Sequence, residues 1–211
     1  MIAALVLPLA LPAWLATGPQ APAPAGGPGD FETVAQEAAA AREAGRVEES
    51  IALYQKALER RPAWDEGRWY LGTLLYEARR PAECERAFAL FLEAKPEAGP
   101  AWALRGLCAF DAGEHAVAAA HLENGLQLGL AGNAELIRAA RARLPLALLK
   151  TGQFERAVEG YTHLARTSPE TTPGLLEEIG LLLLRTPALP SEIPGDRRGF
   201  VRKVERAGDL H

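Results

Sequence analysis

Apolar and small residues recur along this chain with a spacing of 34. In rows of 34 starting at Phe31, Asp65 and Gly99 the chain falls into register without gaps, and a fourth row starts at Arg138 after a five-residue insertion, Asn133 to Ile137. Each row holds two amphipathic segments of helical length. In the first segment the eighth position is small in three rows: Ala38, Gly72 and Gly106. In the second segment a small residue recurs at position 20 (Ser50, Cys84, Ala118, Ala157), followed one helical turn later by a bulky one (Tyr54, Phe88, Leu122, Tyr161). Gly45, Gly113 and Gly152 share one phase between the two segments, with Arg79 in the same slot of row two. Pro62, Pro96 and Pro169 share another phase, where proline ends the second segment; row three carries Leu130 there instead. The pattern predicts an all-α fold of about four helical hairpins stacked in sequence order. One hairpin cannot bury its apolar face alone, and stacking makes the core continuous.

Two departures matter. Row one has a run of alanines, Ala38 to Ala41, in its first helix, and row four has Pro145 at position 8, which predicts a kink. Gly125 and Gly129 flank a short stretch that reads as a helix stop and not as a phosphate loop.

These positions together resemble the tetratricopeptide repeat family, over residues 31 to about 171. Row two matches best, with Leu71, Gly72, Phe88 and Pro96 together. The resemblance implies an α–α superhelix and divides the chain into four repeats, 31–64, 65–98, 99–132 and 138–171. It also implies a concave face lined by positions 2, 5, 9, 12 and 13 of the first helices. On that mapping the partner-binding residues are Glu66, Trp69, Thr73, Tyr76 and Glu77 from row two. Row three gives Leu107, Phe110 and Asp111, and row four gives Leu146, Leu149 and Lys150. The surface so defined is aromatic and aliphatic with an acidic edge, suited to capturing a peptide or helix of another protein. Chaperone adaptors of this family grip a terminal carboxylate with Lys and Asn at positions 5 and 9 of the first repeat. This chain has Ala35 and Ala39 there, so that clamp is absent.

Both ends of the chain read differently. Ile2 to Leu15 is apolar apart from two prolines and too short to span a bilayer, and Ala23-Pro24-Ala25 is a small-x-small cleavage site before Gly26. Residues 1–25 are therefore expected to be a signal peptide and 26–30 a linker, although no basic residue precedes the apolar run. The expected location is the periplasm or the surface of a bacterial cell, with no stable membrane span after cleavage. Residues 172–211 hold an apolar helix, Leu175 to Arg185, a loop enforced by Pro187, Pro190 and Pro194, and a short amphipathic helix from Gly199. They read as a divergent fifth hairpin that caps the core. Docking of the apolar helix onto another subunit of an envelope complex is the alternative.

Charge and chemistry narrow the function. The 211 residues carry a formal net charge of -4 and a pI of about 5.7, which gives no basic face for nucleic acid. No nucleophile elbow, metal-binding helix motif, P-loop or dinucleotide fingerprint occurs. The four histidines do not cluster, so no cofactor, metal or enzymatic activity is expected. Cys84 and Cys108 lie 24 apart, which is no metal or redox-motif spacing. They fall at similar height on adjacent antiparallel helices. Two buried free thiols are the favoured reading, and a disulfide is the alternative for an exported chain. The sequence thus describes a non-enzymatic scaffold that holds a protein partner.

Overall fold

A computed structural model describes residues 28–167, and every regular element among them is an α-helix. The helices are α1 (Pro28–Glu43), α2 (Val47–Arg60), α3 (Asp65–Glu77), α4 (Pro81–Ala94), α5 (Gly99–Asp111), α6 (His115–Leu128), α7 (Ala134–Lys150) and α8 (Phe154–Thr167). The chain divides into two compact units, Met1–Ala140 and Arg141–His211, with the division inside α7. The expected signal peptide, residues 26–27 of the expected linker and the C-terminal cap lie outside the described residues.

Within the first unit α1 packs on α2, α3 on α4 and α5 on α6, and successive hairpins meet through α2 with α3, α4 with α5, and α3 with α5. This is the in-order stacking that the 34-residue spacing calls for. Four turns share one geometry. At each, the residue in the glycine slot takes a positive φ: 69° at Gly45, 57° at Arg79, 83° at Gly113 and 79° at Gly152. The next amide then reaches back five residues: Arg46 to Ala41, Arg80 to Leu75, Glu114 to Ala109 and Gln153 to Leu148, all at 2.9–3.0 Å. These bonds satisfy carbonyls that a helix end otherwise leaves open.

Each hairpin closes on a small residue. A Cβ added to Gly72 would lie 2.8 Å from the Phe88 ring, and one added to Gly106 would lie 2.8 Å from Leu122 Cγ and 2.9 Å from its backbone N. In the first hairpin Ala38 is fully buried, and the Ser50 hydroxyl donates to its carbonyl at 3.0 Å. The alanine run is therefore a packing face. In the second unit the arrangement inverts: bulky Pro145 takes position 8, and Gly160 on α8 makes room, its added Cβ lying 3.1 Å from Pro145 Cγ. Helix α7 continues through Pro145, although the proline leaves the Arg141 carbonyl without its usual donor.

Two local features refine the register. The insertion is helical: Ala134 to Ile137 form the first turn of a lengthened α7, and the Asn133 side chain caps it by accepting the Leu136 amide at 3.0 Å. Gly129 does end α6, with φ 89°, but Gly125 lies inside that helix. It is there because a Cβ would sit 2.7 Å from the Ala103 amide nitrogen, so α5 and α6 touch backbone to backbone.

Two aromatic clusters fill the core of the first unit. Trp69 packs on Phe88 and Phe91, while Tyr54 lies between Trp64 and Tyr70. Burial pushes the Tyr54 hydroxyl up to about 12, against a smaller opposing pull from Arg42.

Two outcomes follow from this packing. Gly106→Ala forces a methyl against Leu122 and its backbone, and urea denaturation should show a loss of about 1–3 kcal/mol. Because the folded-state pKa of Tyr54 is raised, its contribution is intact below pH 10 and fades as pH rises towards 12. Melting curves across that window should show Tyr54→Phe losing less stability than the parent chain, by about 1 kcal/mol per pH unit.

Candidate functional site

The first helices α1, α3 and α5 end in equivalent positions, and the shared turn geometry brings their last residues out in a row. Position 12 carries Arg42, Tyr76 and Phe110; position 13 carries Glu43, Glu77 and Asp111. Tyr76 and Phe110 are half-buried, and the three acids are exposed. Burial lifts the Glu77 carboxyl above its ordinary range, and the nearby Arg42 partly opposes this.

Not every expected binding residue is accessible. Trp69 is 1% exposed because its indole is enclosed by Phe88 and Phe91. Thr73 is buried and spends its hydroxyl on the Tyr70 carbonyl at 2.9 Å. Leu107 is buried on α5, against which α3 packs directly. Leu146 is fully buried in the second unit. These four belong to the core and offer no contact to a partner. Glu66 is exposed, on the first turn of α3. Leu149 and Lys150, half-buried and exposed, belong to the second unit.

Tyr76 and Asp111 do come together. With Arg79, Arg80, Pro81 and Cys108 they line a depression of about 280 Å³ where the second hairpin meets the third. Its wall includes one half of a disulfide: Cys84 on α4 and Cys108 on α5 are bonded, with Cα atoms 6.0 Å apart. The pairing replaces the free thiols favoured from sequence. The register of α4 against α5 brings the two side chains to the same height, within bridging distance.

The two arginines differ. Arg80 is fully engaged: its Nε and Nη2 grip the Glu83 carboxylate at 2.8 and 2.7 Å, and Nη1 reaches Glu48 on α2 at 3.2 Å. The hydrogen bond to Arg80 holds the Glu83 carboxyl below its usual range. Arg79 makes one long contact, from Nη1 to Asp111 Oδ2 at 3.4 Å, and its side chain stays 56% exposed. It holds a positive φ where the sister turns use glycine. That backbone costs about 1 kcal/mol or more, whereas an exposed ion pair returns about 0.2–1 kcal/mol. Fold stability alone does not account for arginine here. Sequence reading placed Arg79 in the glycine slot but drew no site from it; the mismatch itself was the signal.

Comparison with known proteins agrees with the architecture. The tetratricopeptide repeat family matches residues 36–83 and 71–129. Residues 36–129 are tetratricopeptide repeats. A crystal structure of MamA is similar, with a TM-score of 0.66 and 17% identity over 85% of this chain and 88% of that one. MamA from Desulfovibrio magneticus RS-1, from residue 41 onward, gives 0.58 and 15% over 68% and 78%. The tetratricopeptide domain of Sgt2 from Aspergillus fumigatus gives 0.50 and 22% over 66% and 88%. At these identities the likenesses speak for the fold. No curated protein matches the sequence. Tetratricopeptide repeats are protein-interaction scaffolds that are in general non-catalytic. Among the described residues no helix is long and apolar enough to cross a membrane, and no three His, Cys, Asp or Glu side chains group to hold a metal ion.

The disulfide has a direct check. Intact mass of the protein purified from its native host should rise by two protons on reduction, and an unchanged mass would mean that the thiols are free.

Proposed function

We propose that this chain is a non-enzymatic interaction module that seats a peptide or helix of a partner protein against the ends of α1, α3 and α5. The observation that carries the reading is the depression between the second and third hairpins. Half-buried Tyr76 and exposed acidic and basic groups converge there, so a partner side chain could enter beside an aromatic wall. Tyr76 and Phe110 supply apolar contact, and Glu77 and Asp111 supply orientation. Trp69, Thr73, Leu107 and Leu146 have no part in it.

We also propose export to the periplasm or cell surface. The apolar leader and its small-residue cleavage site motivate this reading, and the Cys84–Cys108 bond supports it, since structural disulfides persist in oxidising compartments. The alternative mode, docking through the apolar helix Leu175 to Arg185, falls outside the described residues, and no structural observation favours it.

Site-specific photocrosslinking tests the binding face. A photoreactive phenylalanine analogue placed at Tyr76 in the native host should yield a defined adduct. The same analogue at exposed Gln55, on α2, should not. Equal labelling from both positions, or none from Tyr76, would overturn the proposal.

A further inference from the structure

Position 13 of the first three repeats is acidic without exception: Glu43, Glu77 and Asp111. Helices α1, α3 and α5 are stacked in order, so these carboxylates form one row along the binding face. Two cations of the chain itself answer the row. Arg42 approaches Glu43 at 3.8 Å while its guanidinium lies 3.7 Å above the Tyr70 ring, and Arg79 crosses from the second hairpin to Asp111 in the third. Three carboxylates against two arginines leave the row acidic. Arg80, the other cation at the depression, is already neutralised by Glu83 and Glu48.

Arg79 is the anomaly that gives this row a meaning. Its turn is the same as the three built on glycine, its backbone is the strained one of the set, and its ion pair is long and exposed. What the guanidinium does at the depression is place a positive charge on Asp111 beside the Tyr76 ring. A basic side chain arriving from outside would do the same.

We infer that the depression at Tyr76 and Asp111 is a subsite for a lysine or arginine side chain of the partner segment, and that Arg79 occupies it as an internal competitor. The inference rests on the proposed binding face and names the chemistry that this face selects. A basic side chain entering the depression takes Asp111 as its counter-ion and the Tyr76 ring as a flank, and Arg79 swings into solvent. The exchange is cheap because the pair it breaks is single, long and hydrated. An acidic segment would meet Glu43, Glu77 and Asp111 in succession and be repelled.

The test needs no knowledge of the partner. N-acetyl-arginine methylamide and N-acetyl-glutamate methylamide are titrated into the isotope-labelled full chain at low salt, and backbone amide shifts are followed by NMR. The arginine probe should move the amides of Tyr76, Arg79 and Asp111, and the glutamate probe should not. Arg79→Gly, which installs the residue its sister turns carry, should tighten the arginine probe about two- to fivefold, the range expected for removing an exposed competing pair. Asp111→Asn should weaken it to the level of the glutamate probe.

The inference is overturned if Arg79→Gly weakens binding, if the glutamate probe binds as well as the arginine probe, or if the arginine probe leaves these amides unmoved. The two proposals fail separately. A Tyr76 adduct that survives in the absence of any probe response removes the basic subsite and keeps the binding face. A missing adduct alongside a clear probe response removes the face as a protein-docking surface.

Discussion

Everything in this chain depends on how closely the two helices of a hairpin can approach. That distance is set by one pair of positions, a small residue on the first helix facing a large one on the second. Gly72 lies under Phe88 and Gly106 under Leu122, with no room for a methyl group in either case. Ala38 serves the first hairpin, where the Ser50 hydroxyl fastens the two helices through a carbonyl. The fourth hairpin meets the same requirement with its roles exchanged, placing Pro145 against Gly160. What recurs along the chain is a small residue facing a large one, and not which helix carries the small one. Core packing tolerates this kind of exchange when total volume is kept.

With the hairpins this tight, the side chains between neighbouring first helices are drawn into the core. Trp69 is the clearest case: a large aromatic at a position expected to face a partner closes instead over Phe88 and Phe91. The proposed binding face is thereby confined to the ends of α3 and α5, where the helices stop and side chains regain access to water. The same junction is held by the Cys84–Cys108 bond, which ties the second hairpin to the third beneath the depression. A covalent tie there limits relative movement of the two hairpins at the place where a partner side chain would enter. Preorganisation of this sort lowers the entropic cost of binding.

The turn at Arg79 departs from the repeat without breaking its scaffold. Backbone geometry at the four turns is the same, down to the five-residue reach of the following amide. Three of them use glycine, for which positive φ carries no steric penalty. The fourth accepts strain and in return projects a charged group into the next hairpin's territory. A departure from the repeat that costs stability and changes the surface is informative, because the scaffold alone gives no reason for it.

The sequence by itself determined the hairpins, their order and their turns. Those features depend on local spacing: 3.6 residues per helical turn, glycine where φ is positive, proline where a helix must end. It also contained the acidic row, since position 13 can be read directly from the register. Only the tertiary structure decided which mapped residues are available. Whether Trp69, Thr73, Leu107 and Leu146 face water or a neighbouring helix depends on how far large rings reach between elements, and spacing along one helix does not encode that. The disulfide, the lengthened start of α7 and the exchange of Pro145 with Gly160 were hidden for the same reason. Each is a relation between two segments, and the chain shows only one of its segments at a time.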